Sequence, residues 1–246
     1  MTDGLLLVHA FPLDSRMWKD QVEAFQGVSI VAVDLPGFGG SPLAGDLMTM
    51  QAGAQRCVEG LDRAGIDRAV VCGLSMGGYV AFELWRRHRE RFAGLVLANT
   101  RAEPDTGEGK ERRREVAELV RAGGSEAILE PMRVLVSENP APELWDRVAE
   151  IVGGQPKEAI AAASLGMAER PDSRPDLPGI DVPALVITST GDRLIAPEVS
   201  APMADAIPEA KIEVIEGAGH LSNMEAPDEF NELLAHHLVR CGLTAP

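Results

Sequence analysis

Gly73-Leu74-Ser75-Met76-Gly77, followed by Gly78, stands between a strand-like run, Ala69-Val70-Val71-Cys72, and a helix-like run that begins at Gly78. A serine on a sharp strand-to-helix turn is pushed clear of the sheet, with its hydroxyl exposed at the end of the strand. Such a turn holds the serine in a strained backbone conformation. Side chains two residues to either side would collide with neighbouring backbone, so both flanking positions require glycine. Gly78 lets the helix start pack close to the strand. The bland alternative is a glycine-rich turn with an incidental serine, and the flanking strand and helix weigh against it.

Working outward, short β-branched runs alternate with helical patterns. The strand-like runs are Leu5–His9, Val28–Asp34, Arg68–Cys72, Gly94–Ala98, Ala184–Ser189 and Lys211–Ile215. Such runs, without polar alternation, suit strands buried on both faces of a parallel sheet. Helices are expected at Met17–Phe25, Met50–Ala64, Gly78–His88, Glu198–Ala206 and Pro227–Arg240. The alternation predicts an α/β fold, a doubly wound and mostly parallel sheet of about six strands, with ligand chemistry at the carboxyl ends of the strands.

Residues 101–180 break the alternation, with four helical patterns in succession. Thr106 and Ser125 read as helix caps, Gly123 and Gly153 as stops, and Leu144, Val148 and Ile151 recur at helical spacing. A simple crossover needs only about a dozen residues. The expected division is therefore a core of residues 1–100 and 181–246 with a helical cap of residues 101–180; an ordinary helical layer on the sheet is the plainer alternative.

The chain has 246 residues, 45% of them hydrophobic, which suits one sizeable globular unit. Its net charge of -15 argues against nucleic acid or an anionic membrane as partner. No segment is apolar for long enough to span a bilayer, and Leu5-Leu6-Leu7-Val8 is too short for a signal-peptide core. Cys57, Cys72 and Cys241 are widely spaced and odd in number, which predicts free thiols and a cytoplasmic location. Lys110-Glu111-Arg112-Arg113-Arg114 reads as one exposed helix face. Cys and His do not cluster at metal-ligand spacing, and neither glycine-rich turn matches a nucleotide-binding loop, so no metal or organic cofactor is expected.

A serine hydroxyl becomes a useful nucleophile when a histidine takes its proton and a carboxylate orients that histidine. His88, His236 and His237 fall on helices, where surface placement explains them. His220, in Gly217-Ala218-Gly219-His220 after the final strand, is the candidate base. Asp192, directly after the run Ala184–Ser189, is the candidate acid; the alternative is an aspartate that only shapes a turn. Glu225 is expected to brace the histidine loop. The oxyanion of a tetrahedral intermediate needs preorganised donors, and the backbone amides of Met76 and Phe11 are the candidates, because Pro12 has no N–H. His9 is expected to brace the loop after the first strand. Met132, Val134, Leu135, Trp145, Leu165 and Met167 suit either an acyl pocket or cap packing. Arg101 either meets a substrate carboxylate or is solvated.

These blocks resemble the α/β-hydrolase fold family. His9-Ala10-Phe11-Pro12 resembles its histidine–glycine oxyanion loop, with alanine in the glycine's place, and Asp34-Leu35-Pro36-Gly37-Phe38-Gly39-Gly40-Ser41 resembles its D-x-x-G-x-G-x-S turn. The order Ser75, Asp192, His220 is the order of nucleophile, acid and base in that fold. Leu13-Asp14-Ser15-Arg16-Met17-Trp18 is similar to small carboxylesterases and 3-oxoadipate enol-lactonase-like members. The resemblance implies a cofactor-free serine hydrolase that opens a small ester or lactone through an acyl-enzyme. Carbon–carbon bond hydrolysis, thioester hydrolysis, perhydrolysis and a slow, ligand-sensing receptor role fit the same triad. Family members carry two further strands before the oxyanion-loop strand, so either the sheet has six strands or the start is truncated. With six, Val28–Asp34 becomes an edge that invites a homodimer.

Overall fold

The computed structural model describes residues 1–43 and 45–243. Six strands form one parallel sheet: β1 (Asp3–Val8), β2 (Ile30–Val33), β3 (Arg68–Leu74), β4 (Phe92–Ala98), β5 (Ala184–Ser189) and β6 (Ala210–Ile215). Their spatial order is β2-β1-β3-β4-β5-β6. From β1 the chain first steps outward to β2 and then returns to the other side of β1 to lay down β3. The crevice of a doubly wound sheet opens at such a reversal, outside the carboxyl ends of the two diverging strands. Val8 lies beside Gly73 there, so the loop after β1 and the turn after β3 are neighbours.

The four inner strands are buried on both faces, as continuous apolar runs require. The two edges differ from that expectation. β2 is mostly half-buried, and Lys211, Ile212, Glu213 and Val214 of β6 are exposed, because an edge strand has a neighbour on one side only.

Helices α1 (Lys19–Ala24), α2 (Met50–Ala64), α3 (Met76–His88), α7 (Pro197–Ala206), α8 (Ser222–Glu225) and α9 (Pro227–Arg240) surround the sheet. The expected Met17–Phe25 helix is split. Asp14 accepts from the Arg16 amide and starts a tight turn over Ser15–Trp18 before α1 begins. Between β4 and β5 every regular element among the described residues is helical: α4 (Gly107–Gly123), α5 (Pro142–Gly153), α6 (Lys157–Ala168) and short turns at Ser125–Ile128, Pro131–Leu135 and Arg174–Gly179. Thr106 caps α4 through the Gly109 amide, as expected. Ser125 is no cap, for its hydroxyl donates to the Gly153 carbonyl. Gly124, at φ 75°, ends α4 one residue after the expected Gly123, since only the residue beyond the last helical turn takes that conformation.

Candidate active site

Ser75 sits at φ 56°, ψ −113° between β3 and α3, a conformation that L side chains rarely adopt. Its backbone is held on three sides: its amide donates to the Ala98 carbonyl at 2.9 Å, and its carbonyl accepts from the Gly78 amide at 2.9 Å and the Thr100 hydroxyl at 2.8 Å. The flanking glycines are the ones the turn needs. A β-carbon on Gly73 would run into the Gly77 carbonyl, one on Gly77 into the Val8 carbonyl, and one on Gly78 into the Thr100 side chain.

Two loops from the far side of the sheet bring in the imidazole and the carboxylate. Gly191 packs so closely under the Gly217–His220 loop that a β-carbon would meet the Gly217 and Ala218 carbonyl oxygens at 2.6 and 2.7 Å. His220 Nδ1 then stands 2.8 Å from Asp192 Oδ2, both side chains being buried. Oδ2 also accepts from Asn99 Nδ2 at 3.0 Å, while Oδ1 accepts from the Leu194 and Ile195 amides at 2.8 and 2.9 Å. Burial alone would push this carboxyl up. The neighbouring His220, the Ile195 amide and Asn99 outweigh burial and hold it below its ordinary value. An ionised Asp192 can only accept, so Nδ1–H donates to it and Nε2 is the ring nitrogen left to accept.

Asn99 went unread in the sequence. It follows β4 at φ 43°, a conformation asparagine tolerates better than most residues. Besides Asp192 it donates to the Ser189 hydroxyl at 2.7 Å and accepts from the Ser222 hydroxyl at 2.6 Å. Ser189 in turn donates to the Gly219 carbonyl at 2.8 Å. A polar residue at the end of the run Leu95–Ala98 was the available signal. Glu225 accepts from the Gly219 amide at 2.8 Å and from the amide and hydroxyl of Ser137, so it braces the histidine loop against the helical segment.

The loop after β1 holds Phe11 beside the cavity that Ser75 and His220 line. His9 is fully buried. Its Nε2 accepts from the Leu35 amide at 3.0 Å, so Nδ1 carries the proton and donates to the Ala10 carbonyl at 3.0 Å. Burial lowers its pKa, which keeps the ring neutral in this bracing role. The Phe11 and Met76 amides donate to no protein acceptor among the described residues. Met76 opens α3, where the first amides of a helix lack intrahelical partners.

The cavity is about 140 Å³, and Ser75, Phe11 and His220 line it together with the apolar Val116, Met132, Val134, Leu135 and Met167. Leu165 and Trp145 lie outside that lining. Both are half-buried against the core, and Trp145 carries the Arg133 guanidinium 4.5 Å above its ring. Arg101 does line the cavity, as do Tyr79 and Arg113. Arg113 thus departs from the exposed face expected for residues 110–114, because its guanidinium turns inward to Asp105.

Asp105 is buried among Arg101, Arg113 and Arg170. Burial would raise its pKa; Arg113 and Arg170 outweigh this and hold it low. A carboxyl depressed in the folded state contributes stability above its unfolded pKa and loses it as pH falls through the folded value. Asp105→Asn is therefore expected to lower Tm at pH 7, with the gap to wild type closing from about pH 5 downward. Thermal unfolding of both proteins at pH 7 and pH 3 checks this, and a gap independent of pH would contradict it.

Among the described residues no three His, Cys, Asp or Glu side chains converge as a metal site, and no helix is long and apolar enough to cross a membrane. Comparison with known proteins adds the lineage. A model described as the alpha/beta hydrolase family matches residues 5–233. 3-Oxoadipate enol-lactonase 2 of Acinetobacter baylyi is 28% identical over 236 residues, covering 93% of this chain and 85% of that protein. The structure of a thermophilic esterase from Thermogutta terrifontis, with malate bound, aligns at a TM-score of 0.93 and 41% identity, covering 98% of this chain and 90% of that one. The enol-lactonase of Burkholderia xenovorans LB400 aligns at 0.88 and 28% identity, covering 97% and 92%. The match runs from β1 into α9, through every loop that meets at the carboxyl edge of the sheet, and this chain belongs to the alpha/beta hydrolase family.

Proposed function

We propose that Ser75, His220 and Asp192 form a catalytic triad that hydrolyses a small carboxylic ester or lactone. The observation that carries this reading is the pairing of a strained, cavity-facing Ser75 with a His220 whose Nδ1 is committed to Asp192. His220 Nε2 takes the hydroxyl proton as Ser75 Oγ bonds to the carbonyl carbon, and the carbonyl π pair moves to oxygen. The Phe11 and Met76 amides receive that oxyanion; in other serine hydrolases each such donor is worth about 10²- to 10³-fold in rate. The intermediate collapses, the bond to the alcohol oxygen breaks, and His220 returns its proton to that oxygen. Water then repeats the sequence on the acyl-enzyme and releases the acid. Throughout, Asp192 holds the ring tautomer and stabilises its positive charge. Segment 101–180 acts as the cap that supplies most of the acyl wall, and the ester or lactone substrate is supported by relatives named as esterases and enol-lactonases.

A cavity near 150 Å³ holds a guest of about benzene size. Among p-nitrophenyl esters, kcat/KM is therefore expected to peak at acyl chains of roughly four to six carbons and fall steeply by ten. An aryl-free fluorophosphonate tests the nucleophile directly. Mass spectrometry should find one adduct, on the peptide that contains Ser75, in step with the loss of p-nitrophenyl butyrate hydrolysis. Full inactivation with the adduct elsewhere would refute the assignment.

A further inference from the structure

Ile212, Val214 and Val239 are large apolar side chains left exposed, and they gather at one edge of the sheet. Ile212 and Val214 lie on β6, which has β5 on one side and, among the described residues, no strand on the other. Side chains alternate along a strand, so Ile212 and Val214 share one face while Lys211 and Glu213 share the other. On that second face Lys211 and Glu213 line a groove with Leu233, His236 and Val239 of α9. Every residue from Lys211 to Val214 is exposed.

Only one side of the β6 backbone is used. The Ala184 amide donates to the Glu209 carbonyl and the Thr190 amide to the Ile215 carbonyl, both at 3.2 Å, so odd-numbered residues turn their peptide groups toward β5. Even-numbered ones turn theirs outward. The Ala210 amide is already donated to the Ile207 carbonyl at 3.1 Å, which leaves the Ala210 carbonyl and both groups of Ile212 and Val214 pointing away from the sheet. An open row of this kind is a template for another strand. Charges on such an edge commonly keep a second strand away. Here they have opposite signs two residues apart, and that spacing is self-complementary. In an antiparallel pairing about a two-fold axis through Ile212, Lys211 stands opposite Glu213 of a second copy, and Glu213 opposite that copy's Lys211. Ile212 then exchanges both of its hydrogen bonds with its own counterpart, and the Val214 amide reaches the Ala210 carbonyl of the other copy. Moving the axis by one residue sets Lys211 against Lys211 or Glu213 against Glu213. At the other edge, Ile30-Val31-Ala32-Val33 of β2 offers no charge to fix a register.

We propose that β6 is the seam of a two-fold homodimer, in which two copies of this chain join edge to edge into one continuous sheet, held in register by Lys211 and Glu213. The partner is a second copy because an identical strand, read in the opposite direction, returns the charge pattern that β6 needs. The same pairing covers Ile212 and Val214 on one face and brings the two α9 helices, each with its exposed Val239, to either side of the seam on the other. This stands independently of the hydrolase reading.

Sedimentation velocity over about 1 to 100 μM protein tests it, and wild type is expected to run as a dimer toward the upper end. Lys211→Glu and Glu213→Lys each turn the cross-strand attractions into repulsions and should weaken dimerisation by about 10-fold or more. Both side chains are exposed, so circular dichroism should show an unchanged fold in either variant. The two variants carry complementary strands. Mixing them should therefore restore a dimer, and the double variant Lys211→Glu with Glu213→Lys should dimerise like wild type. A wild type that stays monomeric at the highest concentration overturns the proposal. A dimer that both single variants retain places the interface elsewhere and overturns it too, as does a mixture of the two monomeric variants that stays monomeric.

Discussion

Ser75→Ala is expected to lower kcat/KM for p-nitrophenyl butyrate by about 10⁵- to 10⁶-fold, His220→Ala to do the same, and the double variant to lose hardly more than either. The reason is that nucleophile and base act as one unit. Without the hydroxyl there is nothing for the imidazole to deprotonate, and without the imidazole the hydroxyl stays protonated. What survives is the rate supplied by the oxyanion donors and by binding, roughly 10³-fold over water. Ser75 is held through its backbone by Ala98, Gly78 and Thr100, so alanine leaves those contacts in place, and circular dichroism should show an unchanged fold. Losses that multiply in the double variant would mean that the two residues act separately. The triad would then be the wrong description of the site.

Most of the sheet was legible because an inner strand of a parallel sheet must be apolar on both faces, and runs such as Ala184–Ser189 satisfy that without ambiguity. The elbow was legible because backbone crowding leaves glycine no substitute at positions 73 and 77. Side chains that meet only in space were harder. Tyr79 lies one helical turn after Ser75, and Arg113 shares a face with Val116, Ala117 and Val120, so helical spacing held a signal for both. The run of charges around Arg113 hid it, since solvated faces usually look the same. For Trp145 the sequence left both readings open. A large apolar residue in the cap segment suits a pocket as well as it suits packing, and only the fold shows its ring under Arg133. Asn99 joins β4 to loops ninety residues and more away, through Ser189, Asp192 and Ser222, and no local pattern encodes that meeting.

Gly77→Ala is expected to damage stability and activity together. The added β-carbon would overlap the Val8 carbonyl oxygen, lie 2.7 Å from the Val8 carbonyl carbon and 3.1 Å from the His9 oxygen. All of these are backbone, so no side chain can swing aside. The start of α3 cannot retreat easily either, because it is packed so closely at Gly73 and Gly78 that a β-carbon there would already meet the Gly77 carbonyl and the Thr100 side chain. Overpacking of this kind costs about 1–3 kcal/mol or more, which for a domain of this size corresponds to a fall in Tm of roughly 2–12 °C. Relief requires α3 to move away from β1, and that movement separates the Met76 amide from the Phe11 amide. If those two amides receive the oxyanion, kcat should fall by about 10²-fold or more even where the variant remains folded. Gly153→Ala is the matched control: its β-carbon meets nothing within 4 Å, and alanine there stabilises a helix end by reducing the freedom of the unfolded chain. A folded Gly77→Ala with wild-type kcat would show that the approach of α3 to β1 does not set the oxyanion geometry. A lowered kcat at unchanged Tm would show that the elbow yields locally, and that the donors, not the fold, depend on this glycine.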